Sequence, residues 1–179
     1  MTLESGAVKA MADVQVGDRV LSVNVKGEAV YSDVVYLPHG PNTQRTTFAA
    51  IATESGRDLK MTMNHMLPAG ACALSTLPVI AAREIIVGDC VQTVSGREQV
   101  VSVGKVEDQG IYTIIAMEEL IVVNGIVATP FGGANPTLAN IYYNLHRLAY
   151  TLAGHMASGR LQKATEGLWV GLSTLTTSA

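Results

Sequence analysis

Residues 14–23, VQVGDRVLSV, and residues 85–94, IIVGDCVQTV, carry one pattern twice. Val16, Gly17, Asp18, Val20 and Val23 recur as Val87, Gly88, Asp89, Val91 and Val94. Further out, residues 48–54, FAAIATE, resemble residues 112–118, YTIIAME. Then Met61, Met63 and Asn64 correspond to Ile121, Val123 and Asn124. A single V-G-D match is a common way to begin a strand. Three echoes in the same order predict two similar β units related by a pseudo-twofold axis.

The segments around these echoes read as short strands. RVLSVNV, AVYSDVVYL, TTFAAIATE, LKMTM, CVQTV, EQVVSVGKV, GIYTIIAME and LIVVNGIVA are rich in Val, Ile, Thr and Tyr. Gly, Asn, Asp and Ser separate them, with NVKGEA and TVSGREQ as hairpin turns. Residues 1–131 are therefore expected to form an all-β domain. The pattern stops at PFGGANP, where two prolines flank two glycines. Beyond it the period becomes helical. Leu138, Ile141, Tyr142, Leu145, Leu148, Ala149 and Leu152 form one apolar stripe, and a weaker one runs through Leu161, Ala164, Leu168, Trp169, Leu172 and Leu175. A helical appendage over 135–176 is expected, packed on the β domain or between its own helices, or in contact with a membrane or lipid.

The bulk numbers narrow the function. Apolar content of 48% with 15% charge supports a packed core. A net charge of −3 gives no reason to expect nucleic acid. The four histidines lack a zinc-ligand spacing, and no Walker loop or GxGxxG is present, so no metal or organic cofactor is expected. MTLESGAVKAMADV has no signal-peptide core, and no run of apolar residues is long enough to span a bilayer. Cys72 and Cys90 are open to one bridge or two free thiols, which leaves the compartment undecided.

Chemistry concentrates at residues 59–67, LKMTMNHML, where an alternating strand finishes on Thr62 and, three residues later, His65. If Met63 and Asn64 turn the chain, hydroxyl and imidazole can point at one spot. Such a pair can hydrogen-bond a carbonyl or amide and stabilise the charge of a breaking bond. It still needs a nucleophile, and neither cysteine has an obvious base beside it. Cys90, inside the second V-G-D strand, reads as a small core residue.

Residues 2–35, TLESGAVKAMADVQVGDRVLSVNVKGEAVYSDVV, resemble the start of the hedgehog-type Hint (Hog) autoprocessing domain. That family runs S-G-x-x-(K/R)-x-(I/L)-x-(E/D)-L-x-x-G-D-x-V-L, then a hairpin and V-Y-S-(E/D)-V. FAAIATESGRDLKMTMNHML resembles the segment ending in the family's T-x-x-H, and ELIVVNGIVATPF its closing strand. The resemblance implies an intein-like β horseshoe of duplicated subunits, followed by an apolar helical region that supports sterol use. It implies self-cleavage. A first cysteine attacks the preceding carbonyl to give a thioester, and a sterol, another small acceptor or water resolves it. Thr62 and His65 match the residues that activate the first amide. The partner is then the upstream segment of its own precursor, on a secretory route.

Three departures temper those expectations. The family's cysteine stands several residues before the equivalent of Leu3, and only Met1 and Thr2 precede it. As written, the chain reads as truncated and unable to perform the first step. His39, in VYLPHGPN, stands where animal hedgehogs carry an acidic base. An imidazole can take that proton, or serve water instead, or be a plain loop residue. Pro130 replaces a cysteine of many animal members, so no thiol role survives there. Inteins share the fold but end in a His-Asn pair before a nucleophile. Ala128, Thr129 and Pro130 supply neither, so splicing is not expected. The alternative from another class is a Hint fold without catalysis that binds a lipid or protein partner. A third, a plain hydrolase using Cys72 or Cys90, would need a free thiol.

Overall fold

The computed structural model describes residues 1–38, 44–132 and 140–152. His39 and the second helical stripe, 161–175, lie outside the described residues. Among the described residues there are eleven strands: β1 Arg19–Val23, β2 Ala29–Tyr36, β3 Arg45–Thr53, β4 Asp58–Thr62, β5 Met66–Ala71, β6 Val79–Ala81, β7 Asp89–Thr93, β8 Gly96–Gln109, β9 Ile115–Ala116, β10 Leu120–Val123 and β11 Ile126–Ala128. A helix, α1, covers 140–152.

The strands run β4-β3-β8-β7-β11-β10-β1-β2-β9 through one curled sheet, with β5 joining β7 and β6 pairing with β5. The expected duplication is visible in that order. If β1, β2 and β3 correspond to β7, β8 and β9, each half's third strand pairs with the other half's second. Phe48 in β3 faces Val106 in β8, and Ala116 in β9 faces Val34 in β2. The exchange welds the halves, since neither can bury its apolar face alone. Val20, Ile51, Leu67, Val91, Ile114 and Ile126 form the shared core.

Both V-G-D stretches fold alike. Each follows a 3-10 turn, Met11–Asp13 and Ala82–Glu84. Gly17 and Gly88 take φ of 94° and 97°, a region closed to most side chains. The Asp18 carboxylate accepts from the Gln15 N–H at 2.8 Å, and that of Asp89 from the Ile86 N–H at 3.1 Å. A side-chain acceptor replaces the backbone partner that each chain reversal lacks.

Several expectations are corrected. GIYTIIAME yields only β9; Thr113 and Ile114 are buried without laddering. MLPAGA and VIA form β5 and β6, unmarked in the sequence because Pro68, Ala69 and Gly70 have low strand propensity. Cys72 and Cys90 take the first of their two open alternatives, a disulfide with Cα atoms 4.9 Å apart; Cys90 is buried as expected, and the thiol hydrolase loses its nucleophile. The helix turns differently from its apolar stripe. Tyr142, Tyr143 and His146 are buried, whereas Ile141, Leu145, Leu148 and Leu152 are more than half exposed. Tyr36 and Phe131 offer aromatic surface to the buried rings, with Tyr36 stacked on His146 at 3.8 Å and Phe131 on Tyr143 at 5.9 Å. Arg147 Nε donates to the Ala116 carbonyl at 2.9 Å, which holds that face inward.

Candidate functional site

Thr62 ends β4, paired with Phe48 of β3. Met63 and Asn64 turn the chain, and the His65 N–H donates back to the Thr62 carbonyl at 2.9 Å. The 3-10 turn ahead of the second V-G-D stretch clamps this reversal. The Ala82 N–H donates to the His65 carbonyl at 2.8 Å and the Arg83 N–H to the Met63 carbonyl at 2.9 Å. The Arg83 guanidinium also donates to the Asn64 side chain. The repeat therefore supplies support for the site as well as symmetry.

From the other side comes residues 129–132, the continuation of β11. His65 Nε2 lies 2.7 Å from the carbonyl oxygen of Thr129. A carbonyl can only accept, so a hydrogen bond here requires the proton on Nε2. Nδ1 then faces Gly132, which pairs with His65 in an isolated β-bridge. A Cβ built on Gly132 would stand 3.6 Å from His65 Nδ1 and 3.9 Å from Thr62 Oγ1. The hydroxyl and the imidazole thus converge on one point.

That point borders a cleft of about 230 Å³. Its walls are mainly apolar: Met11, Phe48, Leu59, Met61, Ile121 and Val123. Lys60 and Asp108, also lining it, form an ion pair at 3.0 Å. A backbone N–H from Gln109, and then Lys60, hold the Asp108 carboxyl below the usual range. An apolar setting strengthens any hydrogen bond to a peptide carbonyl or amide placed there. Neutral His65 bonded in this way directs Nε2 at Thr129 and Nδ1 towards Gly132, on the side where the Thr62 hydroxyl lies.

Of the residues singled out in the sequence, Thr62 and His65 come together; His39 falls outside the described residues. Sequence reasoning missed Thr129 and Gly132. Thr129 touches the site through a backbone atom from 64 positions away, for which its side chain gives no signal. No cluster of His, Cys, Asp or Glu able to hold a metal ion occurs among the described residues.

Comparison with known proteins follows the same lines. Residues 1–176 match the Hint module family. The hedgehog protein of Drosophila hydei is 32% identical over 171 residues, which is 92% of this chain and 36% of that protein. Warthog protein 6 of Caenorhabditis elegans is 26% identical over 94% of this chain and 30% of its own length. The chain thus spans about a third of the curated relatives it matches. In three dimensions it resembles the gp41-1 intein, with TM-score 0.55, 17% identity and coverage of 72% of this chain and 91% of that one. A DnaB intein from Synechocystis gives TM-score 0.57, 15% identity and the same coverage of 72% and 91%.

Proposed function

The chain belongs to the Hint family, with its sequence similarity on the hedgehog side, and we propose that it releases an upstream segment of its own precursor through a thioester. The observation that carries this reading is the convergence of Thr62 Oγ1 and His65 Nδ1 on one point of an apolar cleft.

In the proposed reaction a cysteine of the precursor, upstream of Leu3, attacks the carbonyl before it. A C–S bond forms and the C–N bond breaks. His65 Nδ1 takes the thiol proton and returns it to the departing nitrogen, while Thr62 donates to the developing oxyanion. The acyl group then passes to a hydroxyl, of a sterol, another small acceptor or water. A C–O bond forms, the C–S bond breaks, and the acceptor's proton reaches the thiolate. His39 is the proposed base for that second proton. The Cys72–Cys90 bridge supports an oxidising compartment on the secretory route.

The test is the full-length precursor carrying His65→Ala. We expect thiol-stimulated release of the upstream segment in the parent, and release slower by about 100- to 1,000-fold in the variant. Unchanged release would overturn the role given to His65. A non-catalytic reading, in which the module binds a lipid or protein, has one observation in its favour. Ile141, Leu145, Leu148 and Leu152 give α1 an exposed apolar stripe. Among the described residues no helix is long and apolar enough to cross a membrane. Flotation with neutral or sterol-containing vesicles, lost on Leu145→Glu, would support it.

A further inference from the structure

Thr129 is 3% exposed and spends every polar group it has around the imidazole. Its carbonyl accepts from His65 Nε2 at 2.7 Å. Its hydroxyl donates to the carbonyl of Met66, the next residue, at 2.8 Å. The same hydroxyl accepts from the Phe131 N–H at 3.1 Å. Its own N–H reaches the Met66 carbonyl at 3.2 Å, and the Met66 N–H donates to the Phe131 carbonyl at 2.9 Å. Residues 129–131 are therefore stapled to the backbone on which His65 sits.

Pro130 completes the mount. It has no N–H to compete for acceptors. Its ring also confines the preceding residue to extended backbone, which fixes the direction of the Thr129 carbonyl. Pro130 thus has a geometric use.

We propose that Thr129, backed by Pro130, is a positioning residue that holds His65 in the Nε2–H tautomer and so presents Nδ1 to the point shared with Thr62. Loss of the mount should populate both tautomers, and in the Nδ1–H form His65 cannot take a proton through Nδ1. The proposal depends on the autoprocessing reading for its purpose, but its geometry can be tested without cleavage.

The experiment is proton–nitrogen correlation of the imidazole rings in the isotope-labelled 179-residue chain, with His65→Ala to assign the signals. We expect a pyrrole-type Nε2 and a pyridine-type Nδ1 for His65. Thr129→Val keeps the shape and removes the hydroxyl. It should give a mixture of tautomers with the amide spectrum still dispersed, and Thr129→Ser should restore the single form. Pro130→Ala should give a mixture as well, and serves where the valine variant does not fold. An Nδ1–H or mixed parent, or a single unchanged tautomer in a folded Thr129→Val or Pro130→Ala chain, overturns the proposal. In the precursor, Thr129→Val should slow release by up to about 100-fold, the scale of a misplaced catalytic group. If His65→Ala cleaves normally, the autoprocessing role of His65 falls while the tautomer result stands on its own.

Discussion

The turns after β4 and β10 occupy the same place in the two halves, and they differ in the two residues that matter. Aligned on Met61/Ile121 and Asn64/Asn124, Thr62 corresponds to Val122 and His65 to Gly125. Val122 is buried with Val23 and Val127. Asn124 and Gly125 take φ of 50° and 82°, a tight left-handed turn. A Cβ on Gly125 would lie 2.6 Å from Arg57 Nη1, so a side chain there would need the left-handed φ and would displace the guanidinium. Duplication provides the scaffold, and the proposed chemistry sits where the repeat is broken.

A second asymmetry concerns what covers the exchanged strands. Helix α1 lies over the β2–β9 pair, with Tyr150 donating to Asp33 of β2 at 3.1 Å and Arg147 bound to Ala116 of β9. The equivalent β8–β3 pair has no described helix on it, and the second half of β8 is largely exposed. The helix belongs to one half of the molecule, as the Thr-His pair does.

The sharpest way to break the comparison is to make the first half resemble the second. Thr62→Val with His65→Gly should abolish release in the precursor while leaving the far-ultraviolet spectrum intact. His65→Gly alone should cost about 100- to 1,000-fold and Thr62→Val less, because a hydroxyl can be replaced in part by water.

Acidification should separate the two halves next. Burial lowers the His146 pKa to about 4 from the ordinary 6.5. As pH falls from 6.5 towards 4 the unfolded chain binds a proton that the docked imidazole refuses, so stability drops over that window. The full loss is on the order of 3 kcal/mol. Melting temperatures at pH 7 and pH 5 should differ in the parent, and the difference should shrink in His146→Phe. Glu98 acts lower down. Hydrogen bonds from Ser55, with Arg57 and Thr53, hold its carboxyl at about 2, so its contribution is present above 4.5 and lost as pH approaches 2.

Gly125→Ala tests the turn of the second half. The left-handed φ and the displaced Arg57, which bonds Glu98 at 2.9 Å, should together cost about 2 kcal/mol by urea denaturation. The same change in the first half, His65→Ala, should cost little stability. Smallest of all, Lys9→Met removes the partly exposed pair with Asp18 at 2.7 Å and should shift stability by less than about 1 kcal/mol.

The local signals were legible in the sequence where a residue's neighbours along the chain decide its conformation. Asp18 and Asp89 mark reversals because a carboxylate three residues on can reach a backbone N–H. Thr62 and His65 stood out because a two-residue turn brings positions three apart to one side. β5 escaped notice because Pro68 and Gly70 deny strand propensity to a segment held by its neighbours β6 and β7. The face of α1 escaped too, since Ile141 and Leu145 satisfy the helical period as well as Tyr142 and His146 do.

By itself, then, the sequence determined the duplicated β framework, the position of its turns, the helix after residue 131 and the Thr-His pair, all of them periodic or short-range features. Only the tertiary structure decided which helix face is buried, that Cys72 and Cys90 join, and that the Thr129 carbonyl meets the His65 ring. Each of those depends on atoms brought together from distant positions: Tyr36 against His146, Cys72 against Cys90, the Thr129 carbonyl against His65. The energy of such contacts is set by distance in space, and a pattern along the chain records only distance in sequence.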